Sequence, residues 1–217
     1  MTKYQIYFVR HGRTFYNKLH KMQGWSDSPL LPEGVEVAKT AAKALSDVDF
    51  NLAYSSDTRR AMATAKIIMH ENKNDLKRHT IKEFREQFYG YFEGMFAKEV
   101  WFITGDQHGT PTYLGIVDKY GLDATFDLMK EADPFHFAEN SEEYWKRIDH
   151  GFEKLDKVAK DGDKVLLVSH STTIYSLAER YHIPELEINE TPKNSSLTIL
   201  DREDGVNSIS TYNKVLK

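Results

Sequence analysis

The chain has 217 residues, of which 40% are hydrophobic and 29% are charged, and its formal net charge at pH 7 is −4. This composition predicts a globular protein with a substantial core, and the length suits a single domain over residues 1–217 that carries an insertion. The acidic balance argues against nucleic acid or an anionic membrane as a partner. The absence of cysteine excludes disulfides, thiolate nucleophiles and cysteine-based zinc sites.

The sequence contains no signal for a membrane. No apolar run reaches the ~18 residues that a transmembrane helix requires, and the first residues lead into a strand without the apolar stretch of a secretory signal. We therefore expect a cytoplasmic enzyme or binding domain. The oligomeric state is left open by the sequence.

Strands and helices alternate in the structure predicted for the first part of the chain. Residues 6–9 form an apolar run typical of a buried strand, and apolar residues at helical spacing follow Pro32, which suits the first turn of a helix. The predicted elements are a strand at 6–9, a short helix at 14–20, a helix from 32 to 45, a strand at 50–55, a helix at 59–69 and a strand at 80–84.

The alternation stops over residues 95–138, which we call the cap segment. This segment is rich in aromatic residues and is interrupted by glycine, which indicates an inserted helical cap whose aromatic side chains form mainly core. After it the alternation resumes, and Asn140 and Glu143 have the spacing of a capping box at the start of a helix. The remaining predicted elements are a helix to about 160, a strand at 164–169, a helix to about 181, and strands at 197–200 and 206–212.

Strands separated by helices predict a three-layer α/β/α sandwich with a mainly parallel central sheet. In such a sheet, the loops that follow the parallel strands meet at one edge. Arg10 and His11 follow the first strand, Arg59 and Arg60 follow the second, and His170 follows the strand after the cap segment. We therefore expect these side chains to share one site.

Histidines grouped with arginines indicate a site for phosphate or another oxyanion. The guanidinium group is permanently charged, and its planar set of donors fits phosphate oxygens. Nearby arginines lower the pKa of an imidazole, so a neutral nitrogen of His11 could attack phosphorus. The leaving alcohol needs a proton, and a carboxyl group beside a phosphate dianion holds its proton more readily. Glu86 is the candidate donor, and Glu83 and Glu93 are the alternatives.

These residues lie in segments that resemble the motifs of the histidine phosphatase superfamily, the phosphoglycerate mutase-like proteins. The similarity extends over most of the chain and fails only in the cap segment. In the second motif, the arginine directly before alanine is the phosphate ligand, which selects Arg60 over Arg59. The similar segments, in chain order, are 10–12 with Asn17 and 23–25, then 56–65, 85–94, 138–140 with Arg147, 168–170 and 194–197.

The resemblance implies a mechanism in which His11 becomes a phosphohistidine. Glu86 would protonate the leaving oxygen and then act as the base for the attacking water. It also implies that no metal and no organic cofactor take part. The residues implied to bind phosphoryl oxygens or substrate are Arg10, Asn17, Gln23, Arg60, His170 and Ser171. Gln23 either contacts substrate or only shapes its loop, and Ser171 stands where the family commonly has glycine.

The expected function is that of a phosphatase of the histidine acid phosphatase type, which hydrolyses a small phosphorylated metabolite and releases inorganic phosphate. One alternative is a cofactor-dependent phosphoglycerate mutase, because the pair Tyr89-Gly90 resembles the mutase version of the segment that contains Glu86. However, Gln87 stands where mutases usually carry arginine, and the cap segment has no paired arginines. A further alternative is a non-catalytic module that binds phosphorylated ligands.

Overall fold

The computed structural model describes residues 2–217. The strands are β1 (Lys3–Arg10), β2 (Leu52–Ser55), β3 (Arg78–Thr80), β4 (Lys164–Ser169), β5 (Leu197–Glu203) and β6 (Val206–Lys214). They form one sheet in the order β3-β2-β4-β1-β5-β6. The first four strands in this order are parallel, whereas β5 is antiparallel to both β1 and β6. The sheet is therefore mixed but mostly parallel.

Eight α-helices accompany the sheet within the described part of the chain. They are α1 (Phe15–Lys18), α2 (Pro32–Ala44), α3 (Arg59–Glu71), α4 (Ala97–Gly105), α5 (Tyr113–Tyr120), α6 (Leu122–Ala132), α7 (Ser141–Asp156) and α8 (Ser171–Tyr181). Between residues 2 and 217, none of the helices has the length and apolar character needed to cross a membrane.

Helices cover both faces of the sheet. Ala42 of α2 and Ala65 of α3 belong to an apolar cluster on one face, and α7 and α8 contribute to a cluster on the other. Successive residues of β4 alternate between the clusters, with Leu166 in the first and Leu167 in the second, because side chains of a strand point to opposite faces. The predicted three-layer α/β/α fold is confirmed.

The strand predicted at 80–84 is wrong in its position. The observed strand β3 ends at Thr80, and Lys82–Phe84 forms a 3₁₀ turn. Ile81 and Phe84 are both buried and lie three residues apart, which is the spacing of a helical turn and not of a strand. The turn places the Phe84 ring edge-on against Phe8 at a centroid distance of 5.6 Å. Core packing therefore determines the conformation of this segment.

The sheet register brings the carboxyl ends of β1, β2 and β4 to one edge. The N–H of His11 donates to the carbonyl of Ser169 at 3.0 Å, and the N–H of Ser56 donates to that of Val168, also at 3.0 Å. The loops that follow the three strands are thus hydrogen-bonded neighbours.

Helices α4, α5 and α6 lie in the cap segment. An apolar cluster joins this segment to two loops at the sheet edge, and its members include Met22 and Tyr89 from the loops, Val100 of α4 and Met129 of α6. These helices therefore pack over the edge at which the predicted site residues meet. The assignment of residues 1–217 to one domain stays a prediction.

Candidate active site

His11 follows β1 and is almost completely buried. Its Nδ1 lies 2.8 Å from the carbonyl oxygen of Gly12, which can only accept, so Nδ1 carries the proton and donates. Nε2 is then the unprotonated nitrogen, and the Nε of Arg60 donates to it at 3.3 Å. Burial, followed by the charges of Arg60 and Arg10, holds the pKa of His11 well below its usual value. The imidazole is therefore neutral at neutral pH, with its lone pair on Nε2.

Arg60 lies in the first turn of α3 and is fully buried. Its acceptors are the carbonyl oxygens of Gln23, Gly24 and Ser26, a carboxylate oxygen of Asp27, and one ring nitrogen each of His11 and His170. Every N–H group of the guanidinium thus has a protein partner. Arg60 joins the loop at 23–27 to both histidines, and its charge reaches the cavity from beneath His11. Direct binding of phosphate by Arg60 stays a prediction.

His170 is the N-cap residue of α8 and lies beside His11, with ring centroids 5.2 Å apart. Its Nδ1 accepts from Nη2 of Arg60 at 3.1 Å, so Nε2 carries the proton and donates to Oγ of Ser56 at 2.7 Å. Burial, followed by the charge of Arg60, lowers the pKa of His170 well below its usual value. Both of its ring nitrogens have protein partners, and its role as a direct phosphate ligand stays a prediction.

Glu86 is buried at the N-terminus of α8. Its carboxylate accepts from the backbone N–H of Thr172 at 2.9 Å and that of Thr173 at 3.0 Å. Burial raises the pKa of Glu86, and the N–H groups and arginines oppose this only in part. A raised pKa favours the protonated carboxyl group that a proton donor needs.

The two alternative glutamates have other partners. Glu83 accepts from Nζ of Lys154 at 2.7 Å. Glu93 accepts from the backbone N–H groups of Gly24, Trp25 and Ser26 and so holds the loop that Arg60 also holds. Of the three candidate donors, only Glu86 lines the cavity beside His11.

A cavity of about 180 Å³ opens beside His11. Arg10 lies in its wall, and the Arg10 Nε is buried without a hydrogen-bond partner in the described part of the chain. Burial lowers the pKa of Arg10 to about 10, so its guanidinium remains charged at neutral pH. The cavity is lined by Arg10, His11, Asn17, Lys21, Met22, Gln23, Glu86, Tyr89, Trp101, Tyr113, Ser171, Thr172 and Thr191.

Three further predicted residues also line this cavity: Asn17, Gln23 and Ser171. The Gln23 amide accepts from the Thr14 hydroxyl at 2.7 Å and donates to Ser28 Oγ at 3.1 Å, so its polar atoms shape the loop. Arg60 and His170 do not line this cavity: Arg60 contacts His11 and Gln23 of the lining, and His170 packs against His11. Arg59, which the motif does not select as the phosphate ligand, is exposed.

Sequence reasoning missed several residues that hold the site together. Ser56 accepts a hydrogen bond from Nε2 of His170, and Asn194 donates from its side chain to the carbonyl of His11 at 2.9 Å. Both stand inside motif segments, at 56–65 and 194–197, so position within a motif was the available signal. Within residues 2–217, no group of three or more histidine or carboxylate side chains is arranged to hold a metal ion.

Fold and site together define an α/β protein of the phosphoglycerate mutase-like class. The sequence model of the histidine phosphatase superfamily (branch 1) matches residues 6–110 and 117–215. The chain belongs to this superfamily, whose members are catalytic. The resemblance inferred from the motifs is confirmed.

Relatives with known structures or sequences include both mutases and phosphatases. A phosphoglycerate mutase from Bacillus anthracis str. Sterne is 30% identical, with a TM-score of 0.85 over 99% of this chain and 94% of that one. A 2,3-bisphosphoglycerate-dependent phosphoglycerate mutase of Haemophilus influenzae (strain PittGG) is 27% identical over 96% of this chain and 99% of its own. A mycobacterial glucosyl-3-phosphoglycerate phosphatase is 23% identical, with a TM-score of 0.69 over 98% of this chain and 99% of that one, and it shares the fold.

Proposed function

We propose that the chain hydrolyses a small phosphomonoester through a phosphohistidine on His11, in the manner of a histidine acid phosphatase. The observation that carries this proposal is the state of His11, which is buried and neutral, with its unprotonated Nε2 beside Arg60. The unpartnered Nε of Arg10 supplies a donor for a phosphate oxygen in the adjoining cavity.

The reaction has two displacements at phosphorus. His11 Nε2 gives up the hydrogen bond from Nε of Arg60 and forms a bond to phosphorus while the bond to the leaving oxygen breaks, and Glu86 transfers its proton to that oxygen. Water then attacks the phosphohistidine, the P–N bond breaks, and the Glu86 carboxylate takes the proton of the water. Inorganic phosphate leaves, and both residues return to their starting states. Arg10 and Arg60 stabilise the negative charge of the phosphoryl group during both steps.

The charge of the cavity favours hydrolysis of a monoester over a mutase cycle. Among its lining residues, Arg10 and Lys21 are the cations, and Nζ of Lys21 already donates to the carbonyl of Gly94. A bisphosphoglycerate carries a second phosphate and a carboxylate, which would need further cations. Gln87, where mutases usually carry arginine, is buried and donates to the carbonyl of Glu139.

Phosphoglycerate mutase is the second candidate function. It is favoured by the 30% identity and the TM-score of 0.85 to the Bacillus anthracis mutase. The pair Tyr89-Gly90 after Glu86 also resembles the mutase version of this motif, and Tyr89 lines the cavity.

A phosphate-release screen over small metabolite phosphates tests the proposal. His11→Ala should abolish turnover, whereas His150→Ala, a matched change at an exposed histidine of α7, should not. Vanadate should inhibit without added metal, because it mimics five-coordinate phosphorus. More than a few per cent of the rate remaining in His11→Ala would refute the assigned nucleophile. Isomerisation of a phosphoglycerate faster than phosphate release would favour the mutase.

A further inference from the structure

The hydroxyl group of Tyr113 has an unusual environment. Tyr113 is the first residue of α5 and lines the cavity, yet its oxygen is buried without a hydrogen-bond partner in residues 2–217. By contrast, the Tyr89 hydroxyl pairs with Thr172, and the Tyr144 hydroxyl pairs with Ser176. A buried hydroxyl without a partner costs free energy. A bound molecule that supplies an oxygen at this point would remove that cost.

The Tyr113 hydroxyl is a donor at neutral pH. Burial, together with neighbouring Tyr89, Tyr175 and Glu86, raises its pKa well above the usual tyrosine value. Two of these neighbours, Tyr89 and the candidate acid Glu86, line the same cavity as Tyr113.

Trp101 of α4 extends the wall that Tyr113 forms. The two ring centroids are 4.9 Å apart with an interplanar angle of 45°. Both rings line the cavity, although the aromatic residues of the cap segment were expected to form mainly core. Aromatic faces of this kind pack against the C–H surface of a small ligand, while a hydroxyl at their edge forms hydrogen bonds with the polar atoms of the ligand.

Size and charge restrict the group that could lie against this wall. At about 180 Å³ the cavity is smaller than the roughly 300 Å³ at which pockets for drug-sized ligands begin, which favours a small leaving group. A phosphate group bound at Arg10 leaves Lys21 as the one other cation of the lining, and its Nζ donates to the carbonyl of Gly94, so the lining offers little to a charged leaving group. Tyr113 and Thr191 contribute hydroxyls to the lining, and Trp101 and Tyr113 contribute aromatic surface.

We propose that Tyr113 and Trp101 select an uncharged leaving group that bears hydroxyls, so that the substrate is the phosphate ester of a small polyol or sugar. This proposal rests on the proposed hydrolysis at His11. Tyr113 donates a hydrogen bond to a hydroxyl oxygen of the leaving group, and Trp101 covers its carbon skeleton. Tyr113 is thus a specificity-determining residue of the cap segment.

The test compares glycerol 3-phosphate with propyl phosphate, which has the same carbon number and no hydroxyl. The ratio of their kcat/KM values should favour glycerol 3-phosphate by a factor of about 3 to 10, the range of one hydrogen bond. Tyr113→Phe should bring this ratio close to one. Tyr120→Phe, a matched change at an exposed tyrosine of the same helix, should keep the wild-type ratio.

Binding separates this proposal from the proposed function. Kd values for both esters, measured by calorimetry on His11→Ala with and without Tyr113→Phe, report the preference without turnover. A wild-type ratio near one, or an equal loss for both esters in Tyr113→Phe, would overturn the role of Tyr113. If no ester is hydrolysed, the hydrolase proposal fails, and the Kd ratio still decides the specificity.

Discussion

The two buried histidines predict an unusual dependence of stability on pH. The pKa values of His11 and His170 are both well below the usual value, mainly because of burial. Below pH ~6.5 the unfolded chain therefore binds protons at these positions while the folded protein does not. Stability rises with pH wherever the unfolded state binds more protons than the folded state, so the free energy of unfolding decreases as the pH falls below ~6.5.

The size of the effect follows from the number of histidines. Each group that is neutral when folded and protonated when unfolded contributes about 1.4 kcal/mol per pH unit. His11 and His170 together give a limiting slope of about 2.7 kcal/mol per pH unit. Glu86 has a raised pKa and acts in the opposite direction, because the folded state binds its proton first. Comparison of the wild type with a histidine variant removes this contribution.

Urea unfolding between pH 7 and pH 5 measures the slope. His11→Ala should reduce it by about 1.4 kcal/mol per pH unit, since one titrating group is lost. Asn17→Ala, which changes the same cavity and removes no titrating group, should keep the wild-type slope. An equal slope in the wild type and His11→Ala would show that His11 is protonated in the folded state as well, contrary to its assigned neutral state.

Three other substitutions test the network around the site. Arg60→Lys should lower the rate of phosphate release at least about 100-fold, because an ammonium group cannot reproduce the guanidinium contacts; an unchanged rate would refute this. Arg147→Met should lower the free energy of unfolding by about 3–5 kcal/mol, because it leaves the Glu139 carboxylate buried and without its cation. The double variant with Glu139→Gln should recover part of this loss. Glu93→Gln should cost about 2 kcal/mol in urea unfolding, because it replaces a charged acceptor; a loss below about 0.5 kcal/mol would count against that role.

Strand ends and short motifs made the core of the candidate site predictable. Arg10, His11 and Glu86 each stand directly after or close to an apolar segment, and parallel topology brings such positions to one edge. The structure accordingly places all three on one cavity. Their roles in catalysis stay predictions, which the His11→Ala screen tests.

The contacts of Arg60 and Gln23 could not be read from the sequence. Arg60 donates mainly to backbone carbonyls of the loop at 23–27, and the positions of these oxygens depend on how the loop closes. The place of Tyr113 in the cavity wall could not be predicted from the sequence either, because the cap segment carries no motif and its helices are positioned by packing. The strand predicted at 80–84 failed for a related reason, since the burial of Phe84 requires a turn.

Two charged side chains of opposite sign hold the loop at 23–28, and a third, Arg147, holds the neighbouring segment at 83–86. Arg60 binds the carbonyl oxygens of the loop, and Glu93 binds its N–H groups, so the two opposite charges satisfy both sets of backbone dipoles. Arg147 donates to the carbonyl oxygens of Glu83 and Glu86 and thereby holds the neighbouring segment that carries the candidate acid. Because the donors already have fixed positions, we expect little reorganisation during the proposed hydrolysis, which is the condition under which charge stabilisation is most effective.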